Sequence, residues 1–377
     1  FIKNVLAEYG GVEVAEVEAV WHGLEPPYAE LFAWLEGKAP RPDTQGRVTF
    51  RPVMLSHALE EREHMLIEPD TFLAEWKYDG IRVQLVATPE GKALYTRTGD
   101  DISHSFPDLL ADVDIHAVLD GELLVKKDGV IARFNDLQQR LNKKAPTKKL
   151  IESYPAHLIL YDMLEVEGED IRPLPLIERR ARLETWLARE KTSRMELSPL
   201  IGYVDFEELL THRATADRQG ENYIEGLMLK RKDSPYIPGR PKGHWFKWKR
   251  DPLMVDAVLM YAQRGSGKRS SFYSDYTFGL WKGEELLPIG KAYSGFTDQE
   301  LKKLDSWIRN HTLNRFGPVR EVEKALVFEV AFDSVHRSPR HKSGFALRFP
   351  RINRLRWDKP AAEADRMEQL EALLQLA

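Results

Sequence analysis

Apolar residues in the first forty positions recur with helical spacing. The runs "VEVAEVEAVWHG" (12–23) and "PPYAELFAWLEG" (26–37) place them three and four residues apart, and each run ends in glycine, as helices commonly do. We therefore predict two helices within residues 1–40 and expect them to end a larger helical domain whose beginning is missing. The run "KAPRPDTQGR" (38–47) contains proline and glycine and predicts a linker.

Short β-rich runs alternate with helical runs from about residue 50 to residue 250. The runs "AVLDGELLV" (117–125), "AHLILYDML" (156–164) and "IEGLMLKRK" (224–232) favour strands, whereas "PLIERRARLETWLARE" (175–190) has the periodicity of an amphipathic helix. Because the predicted strands come from segments far apart in the chain, the pattern predicts an α+β domain over residues 50–250.

A second kind of pattern begins after "KRDP" (249–252). Short strands are predicted at "MVDAVLMYA" (254–262), "YTFGLWKG" (276–283), "EELLPIGKAY" (284–293) and "LVFEVAFDSV" (326–335), and one amphipathic helix at "TDQELKKLDSWIRNHTL" (297–313). About five short strands with a single helix are typical of a small Greek-key barrel such as the OB fold. We predict this barrel over residues 253–377.

The stretch "EWKYDGIRVQL" (75–85) departs from the strand pattern around it. Lys77, Asp79 and Arg82 lie within an apolar run, and Gly80 interrupts it. A strand interior rarely needs three ionisable groups and a glycine, so this stretch either needs charge or needs a close approach of the backbone.

Composition excludes several classes of protein. A chain of 377 residues with 42% hydrophobic residues predicts two or three folded domains. The absence of cysteine excludes disulfides, zinc–thiolate sites and thiol nucleophiles. No run is apolar enough to span a membrane and no signal peptide opens the chain. We expect a monomeric protein with no membrane partner, located in the cytoplasm and associated with the nucleoid if the source is bacterial.

Several other predicted strands also carry charge beside glycine. Asp120 and Glu122 flank a glycine in "LDGEL", Glu225 and Lys230 bound "EGLMLK", and Lys247 and Lys249 alternate in "FKWKR". Each pattern alone is more typical of solvated strand ends. Together, cations beside exposed backbone suit phosphate, and the acids suit a hard divalent cation.

Five motifs in order resemble those of the covalent nucleotidyltransferases, and among them the ATP-dependent DNA ligases. The motifs are K-Y-D-G-x-R (77–82), L-D-G-E-L (119–123), E-G-L-M-L-K (225–230), F-K-W-K (246–249) and R-x-D-K (356–359). "RTGDDIS" (97–103) and "RFPRINRLRWDK" (348–359) strengthen the resemblance, which covers about residues 50–360. It implies an adenylation domain followed by an OB-fold domain, with residues 1–40 resembling the end of a helical DNA-binding domain.

The resemblance implies a role for each nucleotide-site residue. Lys77 would attack the α-phosphate of ATP and carry AMP, and nearby cations would favour its neutral, nucleophilic amine. Glu75 would accept from the adenine amino group and Tyr161 would stack on the purine, where the family more often has phenylalanine. The remaining ATP-binding residues it implies are Arg82, Glu122, Lys230, Lys247, Lys249, Arg356, Asp358 and Lys359.

It also implies a metal and a DNA partner. Glu122 and Glu225 would bind the ribose or hold Mg²⁺, which needs only one or two carboxylates when phosphate oxygens are present. Arg97 would contact the phosphate at a nick in double-stranded DNA, and Lys268, Arg269 and Arg351 would contact the DNA backbone. Residues 336–359 contain ten basic or histidine side chains and very few acids, although the whole chain has a net charge of −4. Locally basic surfaces of this kind suit DNA.

Three activities fit these motifs. The first is a DNA ligase that seals single-strand nicks, for which replication or repair proteins are possible partners. The second is an mRNA capping guanylyltransferase or an RNA ligase, and the third is an inactive module that binds DNA ends. The R-x-D-K residues follow the last predicted barrel strand, so we expect the barrel to close over the nucleotide about a hinge at "KWKRDPLM" (247–254).

Overall fold

The structure is a computed structural model that describes residues 1–44, 47–111, 113, 116–141, 143–190, 192–216, 224–265, 273–293 and 296–376. The chain divides into two compact units, Phe1–Arg250 and Asp251–Ala377. No helix among these residues is long and apolar enough to cross a membrane.

The first unit combines helices and strands throughout. Its helices are α1 (Ile2–Gly10), α2 (Val14–Trp21), α3 (Ala29–Leu35), α4 (Pro107–Ala111), α5 (Phe134–Gln138), α6 (Lys148–Ser153), α7 (Leu176–Arg189) and α8 (Phe206–Thr215), with short 3₁₀ helices at Glu61–Leu66 and Ser103–Ser105. Its strands are β1 (His57–Ala58), β2 (Phe72–Tyr78), β3 (Ile81–Thr88), β4 (Gly91–Thr96), β5 (Ala117–Lys127), β6 (Val130–Ile131), β7 (Ala156–Val166), β8 (Glu169–Asp170), β9 (Met195–Leu197), β10 (Leu200–Ile201), β11 (Ile224–Arg231) and β12 (Trp245–Lys249).

The first three helices form a small cluster of their own. Ala7, Val17, Val20 and Leu31 are its most buried side chains. Helices α2 and α3 lie within the two predicted runs, whereas α1 was not predicted. Ala7 is the one residue of this helix that is buried.

Two sheets build the rest of the first unit. One has the strand order β1-β12-β11-β2-β10, and the other has the order β4-β3-β5-β7-β8, with β6 beside β5 and β9 beside β7. Most neighbouring strands are antiparallel, and the pairs β1–β12 and β7–β9 are parallel. Helix α7 packs on β7. Each sheet therefore assembles strands that are far apart in the sequence.

A turn of two residues carries the chain from one sheet to the other. Strand β2 ends at Tyr78, and β3 begins at Ile81 in the second sheet. A Cβ atom on Gly80 would lie 2.5 Å from the carbonyl oxygen of Leu123 and 2.8 Å from Cγ of Glu122. Glycine is therefore required here by the close approach of β5, which is one of the two reasons suggested by the sequence.

The second unit is mainly β-structure. Its elements are β13 (Leu253–Arg264), β14 (Tyr273–Lys282), β15 (Glu285–Ala292), α9 (Asp298–Asn310), β16 (Thr312–Phe316), β17 (Val319–Val322), β18 (Val327–Phe332), β19 (Ser334–Arg337), β20 (Phe345–Arg348), β21 (Arg351–Arg356) and α10 (Met367–Leu376). The main sheet has the order β15-β14-β13-β17-β16, with β18 between β13 and β21, while β19 and β20 form a hairpin. Phe278, Phe328 and Phe332 are fully buried in its core.

The second unit differs from the sequence expectation in two details. The predicted strand at 326–335 is interrupted at Asp333, so that β18 and β19 lie in different sheets. A second helix, α10, accompanies α9, and its Met367 and Leu370 are buried in the same core. The expectation of a single helix was therefore wrong.

Candidate active site

A cleft of about 530 Å³ in the first unit is lined by both of its sheets. Nine of the predicted site residues line it. These are Glu75, Lys77, Arg82, Arg97, Glu122, Tyr161, Lys230, Lys247 and Lys249. The two sheets thus bring together residues that are up to 174 positions apart in the sequence.

Lys77 is the last charged residue of β2. Its Nζ donates to Oε2 of Glu225 at 2.5 Å, and Nζ of Lys249 lies 3.4 Å from the same oxygen. Both members of the Lys77–Glu225 pair are mostly buried, at 22% and 17% side-chain exposure. One carboxylate therefore lies between two lysines at this end of the cleft.

A β-bulge presents the Glu225 side chain. The β2–β11 register shifts between Ile224 and Gly226, so Glu225 has no direct partner on β2. Gly226 has φ +143°, and a Cβ atom there would lie 2.3 Å from the carbonyl oxygen of Trp248. The glycine of this motif is thus required both by its left-handed backbone and by the neighbouring strand.

Glu75 is held at the buried end of the cleft by two cations. Its Oε2 lies 2.5 Å from Nζ of Lys230, and its Oε1 accepts from Nη1 of Arg180 at 3.0 Å. The Lys230 ammonium also lies 4.2 Å from the ring centroid of Tyr161 and 4.7 Å from that of Trp245. Charge and aromatic faces together define this end of the cleft.

Arg82 is fixed by a buried acid on the neighbouring strand. Its Nε and Nη2 donate to the two carboxylate oxygens of Asp120 at 3.0 and 2.6 Å. The Tyr236 hydroxyl donates to the same Asp120 at 2.6 Å, and Nη1 of Arg82 donates to the carbonyl oxygen of Met54. Asp120 is completely buried, so the arginine is oriented by a partner that solvent does not reach.

Glu122 has a different environment from the other acids of the cleft. Burial raises its pKa to about 7, against the lowering influence of Lys77 and Arg82. Within the described residues its carboxylate makes no hydrogen bond or ion pair. No group of three or more potential metal ligands occurs among those residues. Glu122 and Glu225 still fit Mg²⁺, since this ion takes most of its ligands from water and phosphate oxygens.

The outer part of the cleft is cationic. Lys247 lies among Arg240, Lys77 and Lys249. Its pKa is lowered mainly by burial and further by repulsion from these cations. Arg97 is exposed and lines the same part of the cleft. This arrangement suits a polyanion.

The other predicted residues lie elsewhere. In the second unit, Arg356 forms a fork with Asp358, and both Arg356 and Lys359 contact Asp256. The fork to Arg356 lowers the pKa of Asp358 to about 2. Arg351 of the same unit pairs with Asp333 at 2.8 Å. Lys268 and Arg269 lie outside the described residues.

Sequence reasoning missed Trp245, Arg240 and Arg180, and it singled out Asp120 without recognising that it orients Arg82. Trp245 and Arg240 line the cleft, and Asp120 and Arg180 orient residues within it. Trp245 lies beside a quoted motif, so alternation along the strand could have identified it. Arg180 gave no such signal, because its partner Glu75 is 105 residues away.

Two sheets that enclose a lysine-centred cleft, followed by a β-barrel unit, define a nucleotidyltransferase architecture. Residues 53–249 match the family model "ATP dependent DNA ligase domain", and residues 269–359 match "ATP dependent DNA ligase C terminal region". The first match covers more than half of the chain. The chain therefore belongs to the ATP-dependent DNA ligase family, and the predicted family and fold class are confirmed.

Individual relatives agree with this assignment. A "Probable DNA ligase" of Koribacter versatilis is 39% identical over 347 residues, which cover 86% of this chain and 60% of that protein. A "DNA ligase" of Thermococcus onnurineus is 31% identical, covering 99% of this chain and 67% of the relative. A solved structure from a study of Lig E DNA ligases shares the fold, with a TM-score of 0.56 and 18% identity, covering 81% of this chain and 100% of that chain. The chain thus spans about three fifths of the length of the Koribacter relative.

Proposed function

We propose that this chain seals single-strand nicks in duplex DNA at the expense of ATP, with Lys77 as the nucleophile. The observation that supports this most directly is the Lys77–Glu225 pair in a cleft lined by Arg82, Lys230 and Lys247. A primary amine in a cleft lined by cations that could bind phosphate is suited to attack a phosphorus atom. Membership of the family supports the use of ATP and DNA. That the DNA substrate is a duplex with a single-strand nick is our proposal.

The first step transfers AMP to the protein. The neutral Lys77 amine attacks the α-phosphorus of ATP, a P–N bond forms, the bond to the β-phosphate oxygen breaks and pyrophosphate leaves. The ammonium must first lose a proton, and Oε2 of Glu225 is the acceptor 2.5 Å away. Arg82 and Lys230 would neutralise phosphate charge, while Glu75 and Tyr161 would bind the adenine. Arg356 and Lys359 would stabilise the leaving pyrophosphate, and Asp358 would orient Arg356 through the fork between them.

The next two steps act on DNA. The 5′-phosphate of the nick attacks the lysine-bound phosphorus, which breaks the P–N bond and restores the Lys77 amine. The 3′-hydroxyl then attacks the 5′-phosphorus, forms the phosphodiester and expels AMP. Arg97 would bind the 5′-phosphate, and Lys268, Arg269 and Arg351 would contact the backbone.

Glu122 and Glu225 are the residues that would hold Mg²⁺. The bound ion would neutralise charge on the phosphate oxygens. Glu122 must be ionised to bind it, so its raised pKa predicts weaker binding below about pH 7. We also propose that the protein acts as a monomer in the cytoplasm, where replication or repair proteins could be its partners.

Incubation with α-labelled ATP and magnesium, followed by denaturing electrophoresis, tests the assignment of Lys77. We expect wild-type protein to retain label and both Lys77→Ala and Lys77→Arg to retain none, because a guanidinium stays protonated and cannot attack. Lys148→Ala, which removes an exposed lysine of the same unit, is the matched control and should label normally. Label on either Lys77 variant would contradict the proposal.

The same preparation separates the alternatives. A nicked duplex with a labelled 5′-phosphate should be sealed by the wild-type protein with ATP. Stronger labelling by GTP than by ATP would indicate a capping enzyme instead. Normal labelling with ATP but sealing of nicked RNA alone would indicate an RNA ligase.

A further inference from the structure

Asp256 connects the two cations that we expect to act on pyrophosphate. It lies on β13 with a side-chain exposure of 13%. Its Oδ2 accepts from Nη1 of Arg356 at 3.0 Å and from Nζ of Lys359 at 2.7 Å. Its Oδ1 is buried and accepts no hydrogen bond from the described residues. Both cations therefore converge on a single oxygen.

The backbone of Asp256 is also fixed. Its N–H donates to Oδ2 of Asp365 at 2.8 Å, and the N–H of Asp365 donates to the carbonyl oxygen of Asp256 at 2.8 Å. In contrast, Asp358, the other acid that contacts Arg356, is 69% exposed. Of these two acids, Asp256 is thus the one held in place by its surroundings.

A carboxylate beside a predicted pyrophosphate site has the wrong charge to bind that anion. The carboxylate can instead act on the two cations, by holding them in position. Because both cations hydrogen-bond to one oxygen, their nitrogens lie less than about 6 Å apart, a separation that two oxygens of one phosphate group can bridge. Without the acid, the two like charges would repel each other and sample many rotamers.

We propose that Asp256 is a positioning residue that sets Arg356 and Lys359 in the arrangement required for the first chemical step. The inference rests on the proposed function, since it assumes that these cations stabilise the leaving pyrophosphate. If the cations are oriented before ATP binds, the barrier is lowered only in steps that break or re-form the bond between the α-phosphorus and the leaving pyrophosphate. Asp256 would therefore matter for lysine adenylation and its reversal, and not for joining DNA ends.

Asp256→Asn tests this, because it keeps the shape of the side chain and removes its charge. We expect kcat for Lys77 adenylation to fall about 10- to 100-fold, with the KM for ATP changed less than about 3-fold. Release of AMP from Lys77 by added pyrophosphate should slow by the same factor. Sealing of a nick that already carries AMP on its 5′-phosphate should stay within about 2-fold of wild type.

Two further variants distinguish positioning from a general effect on folding. Asp305→Asn removes a comparably buried acid of the same unit, which pairs with Arg309 at 2.7 Å, and should leave all three rates nearly unchanged. Asp256→Glu retains the carboxylate and should keep at least a third of the wild-type adenylation rate. Asp256→Asn should fall well below that rate.

Three results would overturn the inference. The first is faster adenylation in Asp256→Asn, which would mean that the acid competes with pyrophosphate. The second is an equal loss in all three rates. The third is a set of Asp256→Asn rates no lower than those of Asp305→Asn. If Lys77→Ala retained label, the proposed function itself would fail. If Arg356→Ala impaired adenylation and Asp256→Asn did not, only the role of Asp256 would be wrong.

Discussion

At the residue scale, the acids of the cleft differ in what they contact. Glu75 is neutralised by Lys230 and Arg180, and Glu225 by Lys77 and Lys249. Glu122 has no such pairing among the described residues, and burial raises its pKa to about 7. A carboxyl group with a pKa near 7 makes the cleft sensitive to pH around neutrality.

The Glu122 pKa predicts a specific dependence of stability on pH. Its ordinary value is 4.5, so between about pH 4.5 and 7 the folded state binds more protons than the unfolded state. The free energy of unfolding therefore contains a contribution that decreases as pH rises through this window. Glu122→Gln lacks it, so thermal unfolding should show the variant gaining stability relative to wild type from pH 4.5 to pH 7.5.

Asp100→Asn is the matched control for this experiment. Hydrogen bonds from Thr98 and Thr96 lower the Asp100 pKa below its ordinary value of 3.8, so its contribution to stability is lost only as pH falls below that value. Its difference from wild type should be constant between pH 4.5 and 7.5. A constant difference for Glu122→Gln as well would contradict the raised pKa.

At the scale of elements, helix α7 connects the two sheets of the first unit through consecutive arginines. Arg179 donates to both carboxylate oxygens of Asp162 on β7, at 2.8 and 2.9 Å. Arg180 donates to Glu75 on β2, in the other sheet, and to the carbonyl oxygen of Ser198. Neighbouring helix positions project about 100° apart, so one helix can hold a carboxylate from each sheet.

This role predicts a large energetic difference between two arginines of the same helix. Arg179 and Asp162 are both fully buried, so Arg179→Ala would leave an unpaired buried carboxylate and should lower the free energy of unfolding by about 3–5 kcal/mol. Arg182→Ala removes an exposed arginine paired with Glu169 and should cost less than about 1 kcal/mol. Urea titration would measure both, and similar costs would show that the buried pair contributes little.

At the scale of the whole molecule, the predicted chemistry is divided between two units. The cleft with Lys77 belongs to the first unit, and Arg356, Asp358 and Lys359 belong to the second. Each unit has its own hydrophobic core. The three chemical steps can therefore depend on the second unit to different extents.

Arg356→Ala should separate these steps. Adenylation of Lys77 should fall by at least about 100-fold, because the leaving pyrophosphate loses a cation. Sealing of a pre-adenylated nick should stay much closer to the wild-type rate, since no pyrophosphate takes part. Arg309→Ala, which changes an arginine on α9 of the same unit, is the control. If both steps slowed equally, Arg356 would have no step-specific role.

Much of the fold and the site could be predicted from short-range pattern, and the remainder depends on distant contacts. Strand motifs around Lys77, Glu225 and Lys249 carry enough local signal to be recognised. In the structure Lys77 and Lys249 line one cleft, and Glu225 pairs with both. The pairing of Arg180 with Glu75 joins residues 105 positions apart, and that of Asp256 with Lys359 joins residues 103 apart. Such contacts are set by tertiary packing and leave little trace in local sequence.

The turn at Asp79–Gly80 also limits how the chain can change over evolution. Surface loops generally tolerate insertions at little energetic cost. This turn instead connects two sheets with only two residues, because β2 ends at Tyr78 and β3 begins at Ile81. An inserted residue would shift Lys77 relative to Arg82 by up to about 3.5 Å, and Gly80 has no free space beside Leu123. Homologous chains should therefore vary in length at many loops and keep this segment at constant length.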